Sequence, residues 1–198
     1  KATFENFCKI PTEVDIASEF RYRDPLIDEH TLCIYISQSG ETADTIAALK
    51  LAKSKGAKTI ALANVIGSSI TREADYCIYT HAGPEIAVAS TKAYTSQVVL
   101  LNILALYFAE VLDRVPSSTI DSMKKNLLEL PKKAEITLRN VAEVKNFANI
   151  VYKETDMFFL GRGVDYYVAS EGSLKLKEIS YIHSESYAAG ELKHGPIA

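Results

Sequence analysis

At 198 residues the chain suits one domain, or one domain and part of another. A hydrophobic share of 47% with 24% charged residues excludes a disordered or fibrous polymer, and a formal net charge of −3 argues against bulk attraction to nucleic acid or to an acidic membrane. Cys8, Cys33 and Cys77 are odd in number, and the last two lie in apolar strand-like runs. They read as reduced core residues of a cytosolic protein.

Residues 1–9 predict the last turns of a helix, with Phe4, Phe7 and Cys8 on one side, stopped by Pro11. Val14 to Ala17 predicts a short strand. Leu32 to Ile36 is a continuous apolar run, the pattern of a parallel strand buried on both faces. Thr42 to Lys55 predicts a helix with Ile46, Leu49 and Leu51 inward and Gly56 as its stop. Thr59 to Ala63 predicts a second buried strand, Ser68 a serine cap on one helical turn, and Tyr76 to Tyr79 another strand. After a loop, Val98 to Ala109 predicts a central, doubly buried helix ending near Leu112. The apolar run itself is too short to span a bilayer. Ser118 with Asp121 suggests a capping-box variant opening a helix that ends near Pro131, and a second helix follows from Lys132 to about Tyr152. Its apolar stripe is Val141, Val144, Phe147 or Ala148, and Val151. Met157 to Leu160 predicts a further strand, and Val168 to about Ile182 a helix buried nearly all round.

Strands alternating with helices imply an α/β fold with a doubly wound parallel sheet, whose ligands bind beyond the carboxyl ends of the strands. The expected division is a nearly complete first lobe over 1–116, connecting helices over 117–152, and the start of a second, truncated lobe over 153–198. One strand and one helix are too little for an independent core, so the chain reads as a fragment.

The stretch Ser37-Gln38-Ser39-Gly40-Glu41-Thr42 stands at such a strand end. Three hydroxyls, an amide and a helix N-terminus can surround a phosphate dianion without Lys or Arg. The competing explanation is that these hydroxyls only cap the helix. In Gly161-Arg162-Gly163-Val164-Asp165-Tyr166 the third glycine of a dinucleotide fingerprint is missing, so the glycines serve a tight turn, open for a ligand or for the next helix. Glu171, Lys175 and Glu178 share one helix face. They form either a solvated ion-paired face or a buried carboxylate–lysine set able to shuttle protons. His183 and His194 flank Glu185 and Glu191, a weak metal pattern, and His194 sits in an exposed Gly-Pro turn. The run Ser90 to Tyr94 is another hydroxyl-bearing helix start, able to close a ligand site or merely to cap.

Together "SQSGETADT", "EIAVASTKAY" and "EGSLKLKEISYIHSESYAAGELKHGP" resemble the isomerase part of the glucosamine-6-phosphate synthases, also called glutamine–fructose-6-phosphate aminotransferases. The first box alone resembles SIS (sugar isomerase) domains in general. The resemblance implies two flavodoxin-like SIS lobes, homodimers, and conversion of fructose 6-phosphate with ammonia from glutamine to glucosamine 6-phosphate, without a cofactor. It implies that Ser37, Gln38, Ser39 and Thr42 hold the phosphate and that the Val88 backbone lines the sugar site. Glu178 would carry the proton between C1 and C2 with Lys175 near the sugar oxygens, and His194 would assist ring opening in the partner subunit's site. The family's glutaminase domain, the box ahead of the first lobe and the C-terminal tail have no counterpart in these residues. The alternative reading is a non-catalytic SIS module that binds a sugar phosphate as a signal. The Glu178, Lys175 and His194 set argues for the enzyme.

Overall fold

A computed structural model describes residues 1–197. They form two compact units, one of residues 1–86 and 91–115, the other of 87–90 and 116–197.

The first unit begins with helices α1 (Ala2–Cys8) and α2 (Ala17–Phe20). The strand expected at Val14 to Ala17 is absent: Val14 and Ile16 are 75% and 70% exposed, and with no sheet edge to bury them the segment stays irregular until α2 starts. Strands β1 (Leu32–Ser37), β2 (Lys58–Ala63) and β3 (Tyr76–Tyr79) make a wholly parallel sheet in the order β1-β2-β3. Helices α3 (Ala43–Ser54) and α4 (Ser69–Glu73) supply the crossovers. Only the central β2 is buried along its length. On β1, Leu32 and Ile36 remain exposed, because an outer strand is covered on fewer sides than a central one. Exposure of Cys77 on the outer β3 likewise corrects its expected place in the core. The core gathers Tyr35, Ala48, Leu49, Ala52, Ala61 and Ile70, so α3 turns Thr45, Ala48, Leu49 and Ala52 inward and leaves Leu51 half-buried.

Helix α5 (Lys92–Val111) has 20 residues, longer than the apolar run Val98 to Ala109 within it, and passes a length-and-composition test for crossing a membrane that the core helix of a soluble protein also passes. Its inner face packs on α1: Phe4 meets Phe108 edge to face, and the Cys8 thiol donates to the Ala105 carbonyl. Ile103, Tyr107 and Val111 on the other side are exposed, so the helix is buried on one face rather than two.

In the second unit α6 (Ser117–Thr137) runs straight through Pro131. In a helix exposed all around that position, the carbonyl that loses its N–H partner can bond to water, so proline does not end it. The break falls instead at a 3₁₀ turn, Leu138–Asn140, before α7 (Val141–Val151). Pro116 takes the N-cap of α6 with no side-chain cap bond, so the Ser118–Asp121 box does not form.

Strand β4 (Asp156–Gly161), helix α8 (Val164–Ser180) and strand β5 (His183–Ala188) form a parallel βαβ unit. A Cβ on Gly161 would lie 2.3 Å from the backbone of Asp165 and Tyr166, so this glycine lets the first turn of α8 settle on the strand end. That places the helix start at Val164 rather than Val168. Only one side of α8 is covered: Ala169 and Ser173 are buried, whereas Leu174 and Ile179 are 44% and 64% exposed. The expectation of burial all round is therefore corrected; two strands cover one face of a helix and no more.

Candidate functional site

The loop after β1 is built by short-range bonds. Gly40, at φ +69°, lies so close to α4 that a Cβ would stand 2.1 Å from the Ser68 Oγ. Its carbonyl accepts from the Ile70 N–H at 3.0 Å, and the Gln38 carbonyl accepts from the Asn64 N–H at 3.1 Å. Ser37, 7% exposed, accepts the Gly40 N–H on its Oγ at 2.9 Å, and the Ser39 Oγ accepts the Glu41 N–H at 3.2 Å. A hydroxyl oxygen used as an acceptor keeps its own proton to donate. Thr42 is the N-cap of α3, yet no side chain makes a cap bond there. The capping explanation for these hydroxyls is therefore not realised, and the first-turn N–H groups of α3 stand beside them.

Two neighbours were not singled out in the sequence. The Glu41 carboxylate accepts the Ser69 N–H at 2.8 Å and so caps α4. Ser68 holds the N-cap position but makes no side-chain cap bond, which corrects the expected serine cap. The Ser69 hydroxyl above all, and then the Ser69 N–H, hold the Glu41 carboxyl below its ordinary range. Arg21 donates to the Asp44 carboxylate at 2.7 Å in the first turn of α3. A cation thus does stand near the helix start, already engaged by an acid. Only the "E" of the hexapeptide offered a sequence signal for the first of these contacts; the second pairs residues 23 positions apart.

At the start of α5 the Glu85 carboxylate accepts the N–H groups of Thr91 and Ala93, each at 3.2 Å, and the N-cap residue Thr91 makes no side-chain cap bond. Val88, in the segment grouped with the second unit, is 88% exposed.

On α8 the expected trio assembles. Lys175 donates to Glu178 at 2.7 Å and lies 3.5 Å from Glu171. The Glu178 bond, chiefly, raises the Lys175 ammonium above its ordinary range and keeps it a donor. The side chains of Glu171, Lys175 and Glu178 are all partly covered, Glu178 the most open of the three. His194 is exposed in a 3₁₀ turn beyond β5. Because α8 returns antiparallel to its two strands, Glu178 lies near their amino ends and His194 beyond their carboxyl ends, on the order of 20 Å apart. Within this unit they do not meet. His183 pairs with Glu185 at 3.6 Å, and among the described residues no group of three or more His, Cys, Asp or Glu could hold a metal ion.

The model of the SIS domain family matches residues 1–107 and 150–198. The chain belongs to the SIS domain family. It is 62% identical over its whole length to glutamine–fructose-6-phosphate aminotransferase [isomerizing] of Clostridium tetani, and 60% identical to the protein of that name from Clostridium acetobutylicum. In both it spans about a third of the relative's length (33%). Among solved structures, the C-terminal domain of glucosamine-fructose-6-phosphate aminotransferase from Francisella tularensis superposes with a TM-score of 0.96 at 42% identity, covering 98% of this chain and 55% of that one. A putative phosphosugar isomerase from Silicibacter pomeroyi gives 0.83 at 29%, covering 100% and 59%. The parallel α/β architecture expected from the sequence is thus that of an SIS domain.

Proposed function

We propose that the chain is the sugar-phosphate part of a glutamine–fructose-6-phosphate aminotransferase, acting in amino-sugar biosynthesis. The observation that carries the reading is the loop after β1, where hydroxyls that no cap consumes stand at a strand-to-helix junction. The names of the relatives matching the whole chain support it independently. Ser37, Ser39 and Thr42 donate hydroxyls and Gln38 an amide to the phosphate of a hexose 6-phosphate, joined by the first-turn N–H groups of α3. The Val88 backbone lines the sugar. Glu178 takes the proton from one of C1 and C2 and returns it to the other, and Lys175 steadies the negative oxygen that develops between the two transfers. His194 helps open the sugar ring in the site of a partner subunit, a role suited to its distance from Glu178. The lobes over 1–116 and 153–198, joined by 117–152, act within a cytoplasmic homodimer whose glutaminase domain supplies ammonia. Exposed Phe158, Leu174 and Ile179 favour a covering partner.

The test is Glu178→Gln in a full-length protein carrying this chain. Isomerisation and solvent-deuterium incorporation at the exchanging carbon should fall about 10²–10⁴-fold, while hexose 6-phosphate still binds. Exchange at the parental rate would show that Glu178 is not the base and leave His194 as the candidate.

A further inference from the structure

The carboxylate of Glu41 lies inside the hexapeptide but is turned away from it. It reaches 28 residues along the chain to accept the Ser69 N–H at 2.8 Å. Arg72 donates to the Ser69 Oγ at 3.1 Å, and its other guanidinium nitrogen donates to the Gly67 carbonyl, so the acid meets a braced helix start. One residue earlier, the Gly40 carbonyl accepts from Ile70 at 3.0 Å and its Cα rests on Ser68. The Gly40 and Glu41 amides are also the donors to the Ser37 and Ser39 hydroxyls. Whatever holds this peptide therefore sets both hydroxyls.

We infer that Glu41 is a positioning residue for phosphate recognition. It fastens the Ser37–Thr42 loop to α4 and keeps its own negative charge away from the neighbouring Thr42, where a phosphate would bind. The inference rests on the phosphate-binding reading of the loop. Two effects follow with different chemistry. Loss of the tether lowers the fraction of loops ready to bind, which weakens apparent affinity by that fraction. Release of the charge repels a dianion over a few ångströms, an effect that salt screens.

The two conservative variants separate the tether from the charge. Glu41→Gln keeps an oxygen of the same reach and removes the charge. Glu41→Asp keeps the charge but is one methylene too short for Ser69. Calorimetric titration of this chain with glucosamine 6-phosphate should give Glu41→Asp roughly tenfold weaker binding, and Glu41→Gln binding within about twofold of the parent. The gap between the two should narrow as salt rises, and both melting temperatures should stay within about 4 °C of the parent. A merely structural role would penalise both variants through folding and would not respond to salt in this way. Parental affinity in Glu41→Asp, or equal losses in both, overturns the inference and leaves the phosphate reading intact. If the parent itself does not bind the ligand while its fold is intact, both fall together.

Discussion

The loop after β1 and the Lys175 cluster, the proposed phosphate site and the proposed acid–base set, are held very differently. The loop is fastened to β1, to the residue after β2 and to α4, with a glycine pressed against Ser68. Beneath it Leu49, Ala52 and Ile70 are fully buried. The Lys175 cluster is held by its own helix alone, through pairs three and four residues apart. Such pairs on an accessible face contribute a few tenths of a kcal/mol each. Binding a phosphate demands donors already in place, since ordering them costs affinity. Moving a proton demands a base that excludes water, and α8 offers this only where something covers Leu174 and Ile179. The loop is thus held in place by the first unit, whereas the proposed acid–base set would depend on what surrounds α8.

If the contrast is real, truncations in the two regions should differ in kind. Leu49→Ala removes a fully buried side chain from the core beneath the loop and should cost about 2–5 kcal/mol in denaturant unfolding. Ile179→Ala on α8, beside the Lys175 cluster, where the residue is 64% exposed, should stay within about 0.5 kcal/mol. Similar costs at the two sites would remove the distinction.

A smaller effect is expected with pH. Asp75 accepts the N–H and hydroxyl of Thr59, each at 2.9 Å, and faces Lys53 at 3.3 Å. The Thr59 hydroxyl, above all, holds this carboxyl below its ordinary range. A depressed folded pKa means the stabilisation is fully present above the unfolded value, about 4, and fades as pH falls through the folded one. Melting temperature measured from pH 6 down to 2 should therefore drop less steeply in Asp75→Asn than in the parent. Parallel curves would show that Asp75 does not contribute through its charge.

The expectations that held share a physical basis. β2 is buried from Thr59 to Ala63, and the apolar run Ile60 to Ala63 announces it. Ser37, Ser39 and Thr42 draw notice in the sequence as hydroxyls clustered at a strand end, and the phosphate role given to them is a proposal still to be tested. β5 was missed because its first four residues, His183 to Ser186, are polar: its inner face meets α8 through hydroxyl pairs, Ser173 with Ser184 at 3.0 Å and Ser170 with Ser186 at 2.9 Å. Pro131 misled because a proline inside a helix weakens it without always ending it, and α6 continues past this one. The burial expected around Glu178 rested on Leu174, Leu176, Ile179 and Ile182; Leu176 and Ile182 are half-buried and the other two exposed, since apolar character says nothing about which element covers a residue. Glu41 went unassigned because its partner, Ser69, becomes a neighbour only after β2 has paired with β1.

The central claim is that the loop after β1 binds the phosphate of a hexose 6-phosphate. It is tested most directly by titrating glucosamine 6-phosphate into this chain and into the double variant Ser39→Ala with Thr42→Ala, neither residue being part of the buried core. The account predicts saturable binding to the parent and a loss of roughly 2–5 kcal/mol in the variant, the worth of two charge-assisted hydrogen bonds. Equal affinity in the two proteins would contradict it.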